Sequence, residues 1–214
     1  MVFRNINWSG GVNIDGEWVT HLRLADDIVL VSCDTTEAEK MLHELDQQGK
    51  TVGLKINVAK TKLMQSDGLR GTTVRLNDIL VEVESFVYLG QAMNMRHSME
   101  EELNRRCRYG WVACNSIKEI LANLNDPAMH AHLFNSIVLS SVLYGRETWS
   151  LTKKEEQRLT VAERAMERRI LNVTLSDHVR NEEIRRIIQF RDVIEEFKRS
   201  KYRWAEHTRL SDNR

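Results

Sequence analysis

The spacing of apolar and polar residues changes near residue 90, from short β-like segments to long segments with a helical period. Residues 12–14 and 17–24 flank Asp15-Gly16, a pair that supplies the positive φ angles of a type I′ turn and so predicts a β-hairpin. A second tight turn at Asp26-Asp27 leads into residues 28–32, whose apolar side chains on both faces predict burial between two layers. The pattern therefore predicts three antiparallel strands.

One helix and several short strands are predicted to complete this β-rich part. Asp34 and Glu37 form a capping-box pattern, and the apolar positions that follow mark one face of a helix predicted to cover the sheet. That face consists of Ala38, Met41, Leu42 and Leu45. The short strands predicted after the helix cover residues 54–57, 62–65, 73–76, 80–83 and 86–90.

The second half of the chain shows only helical patterns. Helix starts are predicted at the capping box of residues 98–101, at Asp126-Pro127 and at residues 152–155, with shorter helices over residues 181–188 and 191–207. The predicted inward faces are Leu103, Cys107, Gly110, Cys114, Ile117 and Leu121, then Phe134, Ile137, Val138 and Ser141, then Leu159, Ala162, Met166 and Ile170. We therefore predict an α+β fold, with an antiparallel sheet and its covering helix in residues 1–95 and helices alone in residues 96–214.

Composition narrows the class of protein. Lys+Arg and Asp+Glu both number 31, so the whole chain offers no charge excess to a nucleic acid, and any basic footprint is local. From residue 150 onward there are 16 basic and 12 acidic residues, which places that footprint in the C-terminal part. Cys33, Cys107 and Cys114 form no CxxC pair, which argues against structural zinc and a disulfide framework. Without a signal-peptide pattern or an apolar run of about 18 residues, the chain is predicted to be intracellular.

Two adjacent carboxylates, Asp26 and Asp27, are the main chemical signal in the sequence. A tight turn between two strands would hold them at a sheet edge, and carboxylate oxygens are ligands that Mg²⁺ takes. In a two-metal site such ligands hold ions about 4 Å apart, which activate the attacking oxygen and stabilise the leaving one. This chemistry predicts nucleotidyl transfer. Adjacent acids at a solvated turn are also common, so the pair alone leaves that alternative open.

Several segments, in order, resemble the reverse transcriptases of non-LTR (LINE-like) retrotransposons. Residues 21–30, HLRLADDIVL, resemble the family's catalytic motif, with Leu24 where an aromatic residue is usual. Residues 53–62 resemble the next motif of the polymerase palm, and residues 86–90, FVYLG, resemble the primer grip. Similar segments beyond the palm are residues 144–149, 168–171, 180–184 and 201–205. The resemblance implies a palm in residues 1–95 and a helical thumb and connection region in residues 96–214.

The resemblance also implies a role for each candidate site residue. Asp26 would be the catalytic metal ligand and Asp27 its neighbour, with two Mg²⁺ ions in the complete enzyme. Lys60 and Lys62 would contact phosphate or protonate the departing pyrophosphate. The residues that would contact the RNA template and DNA primer are Tyr88 and Gly90 at the primer grip, and Arg105, Arg106, Arg108, Arg199, Lys201 and Arg203 along the phosphates. The structural alternatives are solvated lysines, an ordinary turn and a charge-balanced surface.

The polymerases that this sequence resembles also have parts that no segment of the sequence matches. A third metal-binding Asp lies on an upstream palm strand in the family, and Asp15 matches a turn residue rather than that ligand. We therefore expect a C-terminal piece that binds Mg²⁺ weakly and is inactive alone, with Met1 either a true start or a gene-model artefact. The main alternative is a non-catalytic remnant, either a helical module that binds nucleic acid or protein or a chain with no retained role. A third alternative is a hydrolase that uses Asp26 and Asp27 as general acid and general base. The family implies nuclear residence and no membrane partner.

Overall fold

A computed structural model describes residues 6, 8, 10–69, 72–124 and 126–211. These residues belong to two units, the first drawn from residues 1–87 and 93–97 and the second from residues 88–92 and 98–214. The first unit holds short strands and one long helix, and the second is mainly helical. The predicted α+β class is confirmed.

The first strands pair two by two instead of forming one three-stranded sheet. Strand β1 (Val12–Ile14) pairs antiparallel with β2 (Glu17–Val19), and β3 (His21–Leu24) pairs antiparallel with β4 (Asp27–Leu30). The predicted Asp15-Gly16 turn is confirmed, with φ of 52° and 93° at its two residues. The predicted burial of the next strand on both faces is wrong, because Ile28 in β4 is exposed.

Helix α1 (Thr35–Thr51) supplies the core of the first unit. The Asp34 side chain caps it by accepting a 2.7 Å hydrogen bond from the Glu37 amide, as the sequence predicts. Leu42 packs with Val74, Leu76 and Leu80, and all four are buried. The strands beside it are β5 (Lys62–Leu63), β6 (Arg75–Leu76), β7 (Asp78–Ile79) and β8 (Val81–Glu82), where β6 and β7 pair antiparallel and β5 and β8 pair parallel.

The predicted strand over residues 54–57 is wrong, because local hydrogen bonds replace a strand ladder there. The Leu54 amide turns back to the Gly49 carbonyl at the end of α1 (2.9 Å). Asn57 then organises a turn, since its side chain accepts from the Lys60 amide and its carbonyl accepts from the Thr61 amide. Strand β9 (Ser85–Tyr88) and strand β10 (Gln91–Asn94) follow as a pair.

The helices of the second unit surround one apolar core. They are α2 (Glu100–Ala122), α3 (Pro127–Leu133), a π-helical segment (Phe134–Leu139) that continues into α4 (Ser140–Val142), α5 (Lys153–Ile170), α6 (Asn181–Ile188) and α7 (Val193–Ser211), with short 3₁₀ turns at Arg146–Thr148 and Leu175–Asp177. Helix α2 packs against α5 and the α3–α4 segment. Leu103, Phe134, Trp149 and Leu159 are among the fully buried residues. No helix in the described part of the chain combines the length and apolar composition of a transmembrane segment.

The π-helical segment changes which face of the α3–α4 segment points inward. The regular period predicts Ile137 and Ser141 on the inner face, but Ile137 is exposed and Ser141 is only half-buried. Leu139 and Val142 are buried instead. A π-helical turn takes up about one more residue than an α-helical turn, so each later position moves around the helix axis.

Candidate functional site

The candidate metal ligands lie on a two-residue hairpin turn. Strand register pairs Leu24 with Asp27 and Arg23 with Ile28, which leaves Ala25 and Asp26 as the turn between β3 and β4. Ala25 adopts a φ of 53°, which allows the chain to reverse within two residues. Asp26 therefore lies at the tip of the hairpin and Asp27 is the first residue of the returning strand.

Both carboxylates are exposed and unpaired. Neither the Asp26 nor the Asp27 carboxylate takes part in a hydrogen bond or ion pair with another described residue, so their oxygens are available to a cation. The neighbouring Leu24 is also 57% exposed. No cluster of three or more potential metal-ligating side chains occurs in the described ranges. The donor set therefore suits a hard cation such as Mg²⁺ that keeps several of its waters.

The two candidate lysines lie on the loop that leads into β5. Lys60 is exposed, and its amide is held by Asn57. Lys62 begins the strand, and its Nζ donates to the Ala59 carbonyl at 3.2 Å. Neither ammonium group forms an ion pair within the described ranges, and neither contacts Asp26 or Asp27. Their roles toward phosphate stay a prediction.

The β9–β10 turn, which contains the candidate residue Gly90, is held by buried charges of α2. Leu89 and Gly90 form the turn with φ of 48° and 82°. The Arg106 guanidinium donates to the Gly90 carbonyl and lies 4.8 Å from the centre of the Tyr144 ring. The turn is therefore bound through its backbone to an arginine that also packs on an aromatic ring.

Glu102 organises these contacts. Its carboxylate is fully buried, accepts a 2.8 Å hydrogen bond from the Ala92 amide, and receives hydrogen bonds from the guanidinium groups of Arg105 and Arg106. Arg105 also donates to the Gly90 carbonyl at 3.4 Å. One carboxylate and two guanidinium groups thus hold both sides of the turn.

Replacing Gly90 by alanine is expected to lower the free energy of unfolding by about 1–3 kcal/mol, because a Cβ would add strain at positive φ and would lie 2.9 Å from Tyr144 Cε1. Urea unfolding measures the loss. Gly16→Ala is the matched control, since Gly16 has a φ of 93° but open space around it. Equal losses in the two variants would contradict a cost from the Tyr144 contact.

The remaining basic candidates differ in their surroundings. Arg106 is buried and Arg105 half-buried, both in the network around Glu102, whereas Arg108 is exposed. Arg199 pairs with Glu196 at 3.0 Å, and Arg203 is exposed. Lys201 on α7 donates to the Trp149 carbonyl at 2.7 Å. This hydrogen bond links α7 to the loop that precedes α5. Contact of any of these side chains with nucleic acid stays a prediction.

Sequence reasoning missed a second buried charge cluster, between α5, α6 and the start of α7. Arg164 and Arg185 each contact all three carboxylates of Glu163, Glu167 and Asp192, at N–O distances of 3.0–3.2 Å. Burial, followed by the negative charge of Glu167, raises the pKa of Glu163 to about 8. Glu163 and Glu167 lie four residues apart, on the side of α5 that also carries Leu159 and Met166. In the sequence, this four-residue spacing could have indicated the buried cluster, although two acids at the same spacing would also suit a solvent-exposed helix face.

Comparison with known proteins extends this description. A family model described as reverse transcriptase (RNA-dependent DNA polymerase) matches residues 7–93, the stretch that includes the Asp26-Asp27 hairpin. A transposon-derived protein of Caenorhabditis elegans is 34% identical over 217 aligned residues, which cover 95% of this chain and 76% of that protein. No solved structure matches the chain. The chain therefore belongs to the same family as this transposon-derived protein, and its residues 7–93 match the reverse transcriptase (RNA-dependent DNA polymerase) family.

Proposed function

We propose that this chain carries the metal-binding hairpin of an RNA-directed DNA polymerase and takes part in extending a DNA primer on an RNA template. The observation that carries the proposal is the β3–β4 hairpin tip, where the exposed carboxylates of Asp26 and Asp27 have no protein partner among the described residues. The non-LTR, LINE-like subtype and a nuclear location belong to the same proposal, and the order of the motifs supports the subtype.

Each candidate residue would have a role that suits its chemistry. Asp26 and Asp27 would hold two Mg²⁺ ions, which when bound supply charge stabilisation to the attacking and leaving oxygens of phosphoryl transfer. Lys60 or Lys62 would contact phosphate or donate a proton to the leaving pyrophosphate. The backbone of Tyr88 and Gly90 would approach the primer end. Residues 1–95 would then act as the palm and residues 96–214 as the thumb and connection.

Mg²⁺-dependent primer extension on an RNA template tests the proposal. Two carboxylates supply fewer oxygens than octahedral Mg²⁺ takes, so we expect little extension by the 214 residues alone. We expect activity from a longer chain that includes the residues encoded directly upstream. In that chain Asp26→Asn should lower the rate by about 100-fold or more, the scale of losing one preorganised electrostatic contact.

Asp15→Asn is the matched control, because Asp15 is an exposed carboxylate in the neighbouring hairpin turn. It should leave the rate of extension unchanged. An equal loss in the Asp15 and Asp26 variants, or no extension by either the short or the longer chain, would overturn the proposal. The second outcome would favour a non-catalytic module that binds nucleic acid or protein.

A further inference from the structure

Residues 172–192, which we call the α6 strap, form one continuous segment between α5 and α7. The segment consists of the 3₁₀ turn at Leu175–Asp177, helix α6 and the loops that join them to α5 and α7. The chain turns at three non-glycine residues, with φ of 54° at Asn172, 52° at His178 and 56° at Gln189. Residues other than glycine keep such angles only where the surrounding structure holds them. The α6 strap therefore depends on its contacts with the rest of the helical unit.

Both ends of the α6 strap are anchored by contacts that do not depend on pH. Arg168 of α5 donates to the Val179 carbonyl at 2.6 Å, just before α6 begins. Near the other end, the buried Phe190 packs on Phe134 with ring centres 4.7 Å apart. Between these anchors, the inner side of α6 carries Ile184, Ile188 and Arg185.

Buried ion pairs join the α6 strap to α5 along this inner side. Arg185 contacts Glu163 and Glu167 of α5 at 3.2 and 3.0 Å, and the side chains of these two acids are only 3% and 1% exposed. Asp192, the last residue of the strap, contacts Arg164 of α5 at 3.0 Å and Arg185 at 3.2 Å. Three carboxylates and two guanidinium groups therefore form one network between the strap and α5.

The elements around this network do not neutralise its excess negative charge. The charges of α7 nearest to it are paired outside the network, Glu196 with Arg199 and Lys198 with Glu156. Helix α2 places uncharged groups against this part of α5, because Gly110 and the Cys114 thiol both lie beside Met166. With all five of its groups ionised, the network would carry one net negative charge.

Glu163 is the group that can remove this charge by binding a proton. Its Oε2 contacts both arginines, but its Oε1 is buried without a hydrogen-bond partner. The charges that act on Glu163 are those of Glu167, Arg185, Arg164 and Asp192. Burial, followed by the charge of Glu167, raises the pKa of Glu163 to about 8. The carboxyl group therefore stays protonated in the closed network at neutral pH.

We propose that Glu163 is a pH-sensitive latch, which holds the α6 strap on α5 when protonated and releases the strap as one unit when it ionises. Ionisation would place an uncompensated charge in a site removed from water. Opening of the strap would return Glu163 and Glu167 to water, while α2, α5 and α7 keep their mutual contacts. Such a local opening exposes less apolar surface than global unfolding, so it occurs at a lower free energy.

Hydrogen exchange of the 214-residue chain, followed by peptide mass spectrometry at pH 6, 7 and 8 and corrected for the intrinsic rate at each pH, tests the latch. We expect the amides of residues 184–188 in α6 to be protected at least about tenfold less than those of residues 110–117 in α2. The protection of α6 should also fall by about tenfold per pH unit, because each opening releases one proton. Equal protection of the two helices at every pH would overturn the latch, since the strap would then open only with the whole unit.

Glu163→Gln should keep the α6 strap closed, because glutamine retains the shape of the protonated acid but does not titrate. The protection of residues 184–188 should then be nearly constant from pH 6 to 8 and, at pH 8, exceed that of the unaltered chain by about tenfold or more. Glu156→Gln is the matched control on the same helix, because Glu156 pairs with Lys153 at 3.0 Å, outside the network. A pH dependence that persists in Glu163→Gln, or that Glu156→Gln removes equally, would overturn the latch.

Discussion

Replacing Glu102 by alanine is expected to lower the free energy of unfolding by about 3–5 kcal/mol, the usual cost of removing one partner from a buried ion pair. The variant would leave the buried Arg106 guanidinium without its carboxylate and the Ala92 amide without its acceptor. Chemical unfolding measures the energy. Hydrogen exchange adds a local measurement, because the Ala92 amide should lose protection more than the amides of the α2–α5 core do.

Two variants sharpen this test. Glu101→Ala changes the exposed neighbour of Glu102 in the same helical turn and should alter stability by less than about 0.5 kcal/mol. Glu102→Gln retains an acceptor for the Ala92 amide but removes the charge that faces Arg105 and Arg106, so its loss should be intermediate. If Glu102→Ala cost no more than Glu101→Ala, the carboxylate would not hold the β9–β10 turn.

The stability of the protein is expected to fall as the pH rises from about 4.5 to about 8, because Glu163 has a folded-state pKa of about 8 against a usual value of 4.5. In this range the folded state binds more protons than the unfolded state, so the free energy of unfolding decreases by about 1.4 kcal/mol per pH unit. The contribution of Glu163 is complete below about pH 4.5 and is lost as the pH passes 8. Over the full range it reaches about 5 kcal/mol as an upper value.

Glu163→Gln should remove this slope, since glutamine keeps the shape of the protonated acid but does not titrate. Urea unfolding at pH 5, 6.5 and 8 would show similar stability of the two proteins at the lowest pH and a more stable variant at the highest. Glu156→Gln is the control on the same helix. Glu156 pairs with Lys153, and hydrogen bonding to that lysine lowers its pKa, so the change should not flatten the slope. Parallel pH curves for Glu163→Gln and the unaltered chain would contradict the assignment.

The physical reason for the raised pKa of Glu163 lies in the balance of charges in the cluster. Three carboxylates and two guanidinium groups would carry one net negative charge if all were ionised, in a site largely removed from water. Glu163 Oε1 is buried without a hydrogen-bond partner, whereas Oε2 contacts both arginines. A proton on Glu163 restores neutrality at a lower cost than a buried, incompletely solvated charge.

Elements with strong local signals were predictable from the sequence. Thr152 and Glu155 form both reciprocal bonds of a capping box at the start of α5, and Asp126 caps α3 by accepting from the Ala128 amide. The Asp15-Gly16 turn is also where the sequence predicts it, and the next hairpin turn, at Ala25-Asp26, lies one residue before the predicted Asp26-Asp27. These features depend on hydrogen bonds and φ preferences within four residues, so neighbours in the chain are sufficient to specify them.

Predictions that required distant partners were less successful. Trp149 is wholly buried against Phe197 on α7, 48 residues later, and Lys201 is held by the Trp149 carbonyl, while its neighbour Arg203 is exposed. The expected burial of Ile28 was wrong because β3 and β4 form a separate two-stranded pair, in which Ile28 remains open to solvent. A helical or alternating pattern identifies an apolar face but does not state which element covers it.

The sequence by itself determined where the turns and most helices begin, the α+β class, and the segment that carries the reverse transcriptase motif. Each of these follows from side chains acting on the nearby backbone, or from the order of short motifs. Only the tertiary structure decided that Arg106 binds the Gly90 carbonyl and that the pKa of Glu163 is raised to about 8. Those properties depend on the removal of water and on charges brought together from distant parts of the chain, which residue spacing does not record.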